Sequence, residues 1–179
     1  MNQLTVLDPT GRTADAESVA RPGPARLDGA RIAVLDNTKP GAVELMERIA
    51  EVLVGEHGAD SYVVERKLSA SQGASEEQLQ GVHEACDLAI TGSGDCGGCT
   101  SWSCHDAVAL ERLGTPTVLV CTDAFVRLAR VTAERAGLPR IRIVEVEHPI
   151  GGQPRERIAA LADAAVKSAV ELLVDDTRV

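Results

Sequence analysis

From Arg31 onward, the chain alternates strictly between strand-like and helix-like segments, and this alternation constrains the fold more than any other feature. Five short apolar runs predict strands, namely RIAVLDN, SYVVERK, CDLAITGSG, TPTVLVCTD and RIRIVEVEHP. The segments between and after them carry apolar residues at helical spacing. Such alternation produces right-handed βαβ units and a parallel sheet covered on both faces. The sequence therefore predicts an α/β fold, a three-layer αβα, Rossmann-like domain with about five strands.

The length and composition fit one such domain. The 179 residues are 44% hydrophobic but only 2% aromatic, so the core must consist of Val, Leu, Ile and Ala, as is usual for a buried parallel sheet. Residues 1–28 are rich in turn-forming residues and predict an irregular lead-in. Residues 29–179 are expected to form the single α/β domain.

Net charge and the search for targeting signals limit the binding partners and the cellular location that we expect. A net charge of −9 argues against nucleic acid and anionic membranes as partners, because both require a basic face. We find neither an apolar run near the roughly 20 residues of a membrane span nor a signal-peptide pattern. We therefore expect a cytoplasmic protein without membrane or nucleic-acid partners. The odd number of cysteines, five, disfavours a purely structural set of disulfides.

Polar or glycine-rich loops follow four of the predicted strands. Their candidate site residues are Asn37 and Lys39 after the first strand, Asp95 and Cys96 after the third, Asp123 after the fourth and His148 after the fifth. Parallel strands end at one edge of the sheet, where ligands of such folds bind. These loops therefore predict one common site, although turns alone also explain their Gly, Asp and Pro residues.

The loop after the third strand contains a Cys-x-x-Cys motif, Cys96-Gly97-Gly98-Cys99. It precedes a helix that the sequence predicts from Ser103 onward. A helix N-terminus favours the thiolate, the form of cysteine that attacks an electrophile. Three interpretations remain open: a redox or covalent thiol site, a zinc or iron site, and inert loop cysteines. Cys96, Cys99, Cys104 and His105 would supply the metal ligands.

Other residues near this motif are candidates for the site. His105 can act as general acid or base for the cysteines, and Cys104 is a third thiol beside it. Ser101 can cap the helix and contact substrate, while Trp102, expected in a loop, can form a pocket wall. Asp106 is expected to cap the helix or complement its dipole.

Charged residues at the same edge set the expected electrostatics. Asp95 would raise the pKa of a neighbouring thiol unless it is paired, for example with Lys39. Lys39 itself can bind a carboxylate or favour a thiolate, unless it only neutralises Asp36 or Asp95. His148 can donate a proton or bind a ligand. With the helix N-terminus, these groups predict a small anionic substrate.

Four segments together resemble one family. LDGARIAVLDNTKPGA, GSGDCGGCTSWSCHD, GTPTVLVCTDAF and VEHPIGG are similar, in this order, to the UGSC-type (seleno)proteins, named for selenocysteine-Gly-Ser-Cys. The resemblance implies that Cys96 stands at the selenocysteine position and Cys99 at the resolving position. Gly98 replaces the serine of the family, and Cys104 stands where an apolar residue is expected.

The same loop is distantly similar to the selenocysteine loops of glycine and proline reductase subunits, which implies nucleophilic or redox chemistry. A weaker analogy links DNTKPG and the later cysteines to the aspartate/hydantoin racemase and maleate isomerase group. In that interpretation Cys96 and Cys121 would face each other as an acid–base pair.

These observations together predict a thiol-dependent oxidoreductase or lyase for a small, anionic molecule. Cys96 attacks, Cys99 resolves, and no cofactor is required. A thiol reductant, a partner subunit and self-association are the partner interactions that we expect for such a protein.

Overall fold

The computed structural model describes residue 20, residues 22–24 and residues 26–174. Most of the predicted lead-in, 1–28, therefore lies outside the described residues. The described residues fold into five parallel strands and five α-helices, which confirms the predicted α/β class. The strands are β1 (Arg31–Asp36), β2 (Ser61–Arg66), β3 (Leu88–Gly94), β4 (Thr117–Thr122) and β5 (Arg142–Val146). The helices are α1 (Ala42–His57), α2 (Glu76–Ala85), α3 (Gly97–Leu113), α4 (Val126–Arg135) and α5 (Arg155–Leu173).

The strand order is β2-β1-β3-β4-β5, with every neighbouring pair parallel. The chain therefore runs outward from β1 to β2 and then returns past β1 to β3. This change of direction opens a crevice between the carboxyl ends of β1 and β3, the usual ligand position in doubly wound sheets.

The two faces of the sheet are packed by different helices. Ile32 and Val34 of β1 join α1 and α5 in the larger apolar cluster, whereas Ala33 and Leu35 face α2 and α3. A third cluster joins β4 and β5 to α3 and α4. The alternation follows from the two-residue period of a strand. β2 differs because five of its six residues are exposed, as expected for an edge strand.

Local signals fix several helix ends. Ser75 forms a capping box with Gln78 at the start of α2, an arrangement that satisfies backbone N–H groups at a helix N-terminus. Gly58 and Gly114 end α1 and α3 in the left-handed conformation that glycine adopts readily. Within the described part of the chain, no helix is long and apolar enough to cross a membrane.

Candidate active site

The candidate residues lie at one edge of the sheet because each follows the carboxyl end of a parallel strand. Lys39 follows β1, Cys96 follows β3, Asp123 follows β4 and His148 follows β5. The loops also approach one another in space. A Cβ built on Gly151 would lie 3.3 Å from Asp95 Oδ2 and 3.9 Å from the Pro40 carbonyl oxygen. The loops after β1, β3 and β5 therefore meet at Gly151.

Helix α3 begins at Gly97, six residues before the predicted start at Ser103. Its N-cap is Cys96, whose Sγ accepts the Cys99 N–H at 3.3 Å. The Thr100 hydroxyl donates to the Cys96 carbonyl at 2.6 Å, and the Ser101 hydroxyl donates to the Gly97 carbonyl at 3.0 Å. These hydroxyls therefore do not cap the helix, and the Cys-x-x-Cys motif forms its first turn.

The two cysteines of the motif occupy different environments. Cys96 is partly exposed, whereas Cys99 is 1% exposed. The Cys99 thiol donates to the Cys96 carbonyl at 3.2 Å. The accessible sulfur therefore lies at the mouth of the turn, and the second sulfur is buried behind it.

This difference in environment separates the acidities of the two thiols. Burial raises the pKa of Cys96, but the neighbouring Cys99 thiol and the hydrogen bond from the Cys99 amide lower it more. The charge of Lys39 and the Gly98 amide lower it further, so the pKa of Cys96 falls below its ordinary value. Burial, followed by the hydrogen bond to Cys96, raises the pKa of Cys99 to about 11. Cys96 is therefore the thiol of this pair that more readily forms a thiolate.

Cys104 and Cys121 are fully buried. The Cys121 thiol contacts the Gly94 carbonyl at 3.4 Å, and the Cys104 thiol contacts the Ala129 carbonyl at the same distance. Burial raises the pKa of each to about 12. Neither thiol is presented to solvent beside Cys96, so the structure does not support the two-cysteine acid–base arrangement of Cys96 with Cys121.

Asn37 connects the elements around the crevice. It is fully buried, and its amide donates to the Ser93 carbonyl at 2.9 Å and to the Ser103 hydroxyl at 3.0 Å. Its Oδ1 accepts the Lys39 backbone N–H at 3.3 Å. Asn37 thus joins the β1 loop to β3 and α3, and its two amide hydrogens are already engaged within the protein.

The carboxylates near Lys39 pair with other residues. Asp36 accepts from Arg66 Nε at 2.9 Å, and Asp95 lies 3.0 Å from His148 Nδ1. Among the described residues, no carboxylate lies within ion-pair distance of Lys39 Nζ. The alternative in which Lys39 only neutralises Asp36 or Asp95 is therefore not supported, and the charge of Lys39 acts on Cys96.

Asp95 and His148 form the second polar group of this edge. Asp95 also accepts the Ile150 and Gly151 N–H groups at 3.1 and 2.9 Å. The backbone N–H of His148 donates to Asp123 Oδ1 at 3.2 Å. Asp123 is otherwise exposed, so its observed role is to hold the turn that carries His148.

Trp102 and His105 form a ring contact with each other on α3. Both are exposed on α3, and their rings contact each other with centroids 5.8 Å apart. Trp102 belongs to the helix rather than to a loop, and Gly73 packs against it. His105 follows Cys99 by nearly two helical turns, so the structure does not bring its ring to the sulfurs.

Asp106 also differs from its prediction. It neither caps nor begins α3 but is buried in the third turn, where it pairs with the fully buried Lys67. Its other oxygen accepts the Ala74 N–H at 2.8 Å. This pair fastens the loop between β2 and α2 to α3, a role that sequence spacing did not reveal.

The predicted metal ligands are also separated. Cys104 is buried against α4, and His105 lies on the exposed face of α3. Across the part of the chain that the structure describes, no three His, Cys, Asp or Glu side chains converge to hold a metal ion.

The topology and the loop geometry define a doubly wound α/β protein with a thiol pair at the topological switch point. The sequence profile of the UGSC family matches residues 5–175, nearly the whole chain. The chain therefore belongs to the UGSC family. No curated protein gives a significant match.

The solved structures that match this chain have low sequence identity to it and low TM-scores. The lactose-specific IIB domain of a Streptococcus pneumoniae phosphotransferase system is 14% identical, with a TM-score of 0.34, over 81% of this chain and 98% of that one. An FMN-dependent NADH-azoreductase from Bacillus anthracis is 10% identical, with a TM-score of 0.41, over 80% and 99%. Elongation factor SelB from Methanococcus maripaludis is 11% identical, with a TM-score of 0.40, over 80% of this chain but only 34% of that one.

Proposed function

We propose that this protein is a thiol-dependent enzyme that reductively cleaves a bond in a small anionic molecule, with Cys96 as nucleophile and Cys99 as resolving thiol. The observation that carries the proposal is the first turn of α3. A partly exposed Cys96 sulfur receives the Cys99 N–H there, and the Cys99 sulfur is buried directly behind it.

The proposed reaction has two steps. The Cys96 thiolate attacks the substrate atom that bears the leaving group, and the leaving group departs with a proton. The Cys99 sulfur then attacks Cys96, which releases the reduced substrate as it takes up a proton and leaves a Cys96–Cys99 disulfide. The substrate gains two electrons and the two thiols lose them, so an external thiol reductant must restore the pair.

Anion recognition follows from the positive groups around the sulfur. Lys39 acts on Cys96 electrostatically and has no carboxylate partner among the described residues. The first turn of α3 adds the partial positive charge of a helix N-terminus. A carboxylate on the substrate would bind beside Lys39 while its reactive atom approaches Cys96.

Two alkylating reagents of nearly equal size test this proposal. Iodoacetate carries a carboxylate, whereas iodoacetamide is neutral. Native protein should be alkylated first at Cys96 by both reagents, as read by peptide mass spectrometry. The rate ratio of iodoacetate to iodoacetamide should exceed the ratio for free cysteine, because Lys39 attracts the anion.

A lysine variant and its control separate local from general charge effects. Lys39→Gln should lower the iodoacetate preference, while Lys167→Gln on the exposed face of α5 should leave it unchanged. Equal alkylation of all five cysteines, or an iodoacetate ratio no higher than that of free cysteine, would contradict the proposal.

A further inference from the structure

We propose that His148 is the proton-transfer residue of this site, held in one tautomer by Asp95 and Thr122, and that it protonates the group that Cys96 displaces. This inference rests on the proposed function, because it assigns the proton of the first step. The inference is supported by a set of hydrogen bonds around His148. In each of them, the donor and acceptor capacity of the atoms fixes the direction of the bond.

The Thr122 hydroxyl decides the tautomer. Its Oγ1 lies 3.0 Å from the Gly94 carbonyl oxygen and 3.2 Å from His148 Nδ1. A carbonyl oxygen can only accept, so the single hydroxyl hydrogen points to Gly94. The hydroxyl must therefore accept from His148, which requires a hydrogen on Nδ1.

Asp95 imposes the same arrangement. Its Oδ1 lies 3.0 Å from His148 Nδ1, and its side chain is only 11% exposed. Backbone N–H groups of Ile150 and Gly151 hold both carboxylate oxygens. A carboxylate fixed in this way favours a hydrogen on Nδ1, so two independent acceptors share that hydrogen.

The other ring nitrogen is consequently the reactive one. Among the described residues, Nε2 of His148 has no hydrogen-bond partner, and the side chain is 39% exposed. The Phe125 ring flanks the imidazole with centroids 5.7 Å apart. Nε2 therefore offers a lone pair to the site when the ring is neutral and a proton when it is cationic.

Asp95 connects the His148 ring to the nucleophile Cys96. Asp95 immediately precedes Cys96, so the carboxylate that holds His148 and the sulfur that attacks belong to consecutive residues. Cys96 follows β3 and His148 follows β5, so both lie at the same edge of the sheet, with β4 between their two strands. Any movement of the Cys96 loop therefore carries with it the anchor of the imidazole.

The proton is conserved through the step. When Cys96 ionises, Nε2 takes up the proton, and the imidazolium is stabilised by Asp95. When the sulfur displaces the leaving group, Nε2 returns this proton to the departing atom. His148 ends neutral, and Asp95 and Thr122 act as positioning residues that contact only the imidazole.

Two anionic disulfides with different leaving groups test the assignment. Dithiobis(2-nitrobenzoate) releases an acidic aromatic thiol that departs without a proton, whereas dithiodipropionate releases an alkyl thiol that benefits from one. General acid catalysis contributes about 10²-fold or more. His148→Gln should therefore slow the alkyl disulfide about 10²-fold more than the aromatic disulfide, as measured by stopped-flow thiol release. His57→Gln, an exposed histidine at the end of α1, serves as the control and should not change the ratio.

The positioning residues are tested by the same ratio and by nitrogen NMR. Thr122→Val should shift the ratio in the same direction, by a smaller factor, because one acceptor of Nδ1–H is lost. A long-range proton–nitrogen NMR spectrum of the wild-type protein should show the hydrogen of neutral His148 on Nδ1 and not on Nε2. This measurement does not depend on knowing the substrate.

The outcomes distinguish this inference from the proposed function. If Cys96 fails to react with either disulfide, the proposed function is wrong. If Cys96 reacts but His148→Gln slows both disulfides equally, or neither, the role of His148 is overturned and that of Cys96 stands. A hydrogen found on Nε2 of neutral His148 would also overturn it.

Discussion

The Cys99 backbone N–H donates to Cys96 Sγ at 3.3 Å, while the Cys99 thiol donates to the Cys96 carbonyl at 3.2 Å. The second cysteine thus stabilises negative charge on the first and keeps its own hydrogen. This reciprocal contact explains how two thiols in one helical turn differ in acidity and accessibility, which a nucleophile and a resolving thiol require.

The pH dependence of Cys96 alkylation should follow from this contact. Because the pKa of Cys96 lies below its ordinary value, the alkylation rate should rise with pH and level off at a lower pH than for free cysteine. Lys39→Gln removes a positive charge that favours the thiolate, so the midpoint of its alkylation profile should move to higher pH. Lys167→Gln is the control, and a downward shift or no shift in Lys39→Gln would contradict the assignment.

Gly94 should tolerate no side chain. A Cβ there would lie 2.7 Å from Cys121 Sγ, too close for this contact, and 3.1 Å from Thr100 Oγ1, a tight approach. Gly94→Ala should therefore lower the free energy of unfolding in urea by about 1–3 kcal/mol and slow Cys96 alkylation, because the loop must move. Gly98→Ala is a matched control, since a Cβ there meets no atom within 4 Å. Equal stability of the two variants would disprove the packing argument.

The buried pair of Lys67 and Asp106 should show strong coupling. Removing one partner leaves a charge unpaired in the core, since the two side chains are 0% and 3% exposed. Lys67→Met and Asp106→Asn should each cost about 3–5 kcal/mol. The double variant should cost clearly less than the sum, because neither charge remains and Asn still accepts the Ala74 N–H. Additive losses in urea unfolding would show that the two residues act independently.

The sheet and the common edge could be predicted because they depend on local periodicity. Alternating strand and helix patterns determine a parallel sheet, and parallel strands place their following loops together. The sequence therefore identifies Lys39, Cys96 and His148 as candidates. Ser75 was recognisable as a cap because serine is a common N-cap residue.

The remaining features required the tertiary structure. Helix α3 starts earlier than the sequence predicts, because two glycines disfavour a helix and because cysteine is not among the usual N-cap residues. The sequence favours His105 because it lies close to the cysteines along the chain. In the structure, His148 is the histidine that contacts Asp95, although the two are far apart in sequence. No periodic pattern pairs Lys67 with Asp106 or Thr122 with His148, since their contacts arise only when distant elements pack.

The most direct test of the thiol pair is the stoichiometry of its reaction with dithiobis(2-nitrobenzoate) under native conditions. Wild-type protein should release two equivalents of aromatic thiol rapidly and retain no mixed disulfide, since Cys99 displaces the second equivalent and closes the Cys96–Cys99 disulfide. Cys99→Ser should release one equivalent and keep a mixed disulfide on Cys96, as read by intact and peptide mass spectrometry, and Cys96→Ser should release none rapidly. A stable mixed disulfide on wild-type Cys96, or rapid release from Cys96→Ser equal to that of the wild type, would contradict the account.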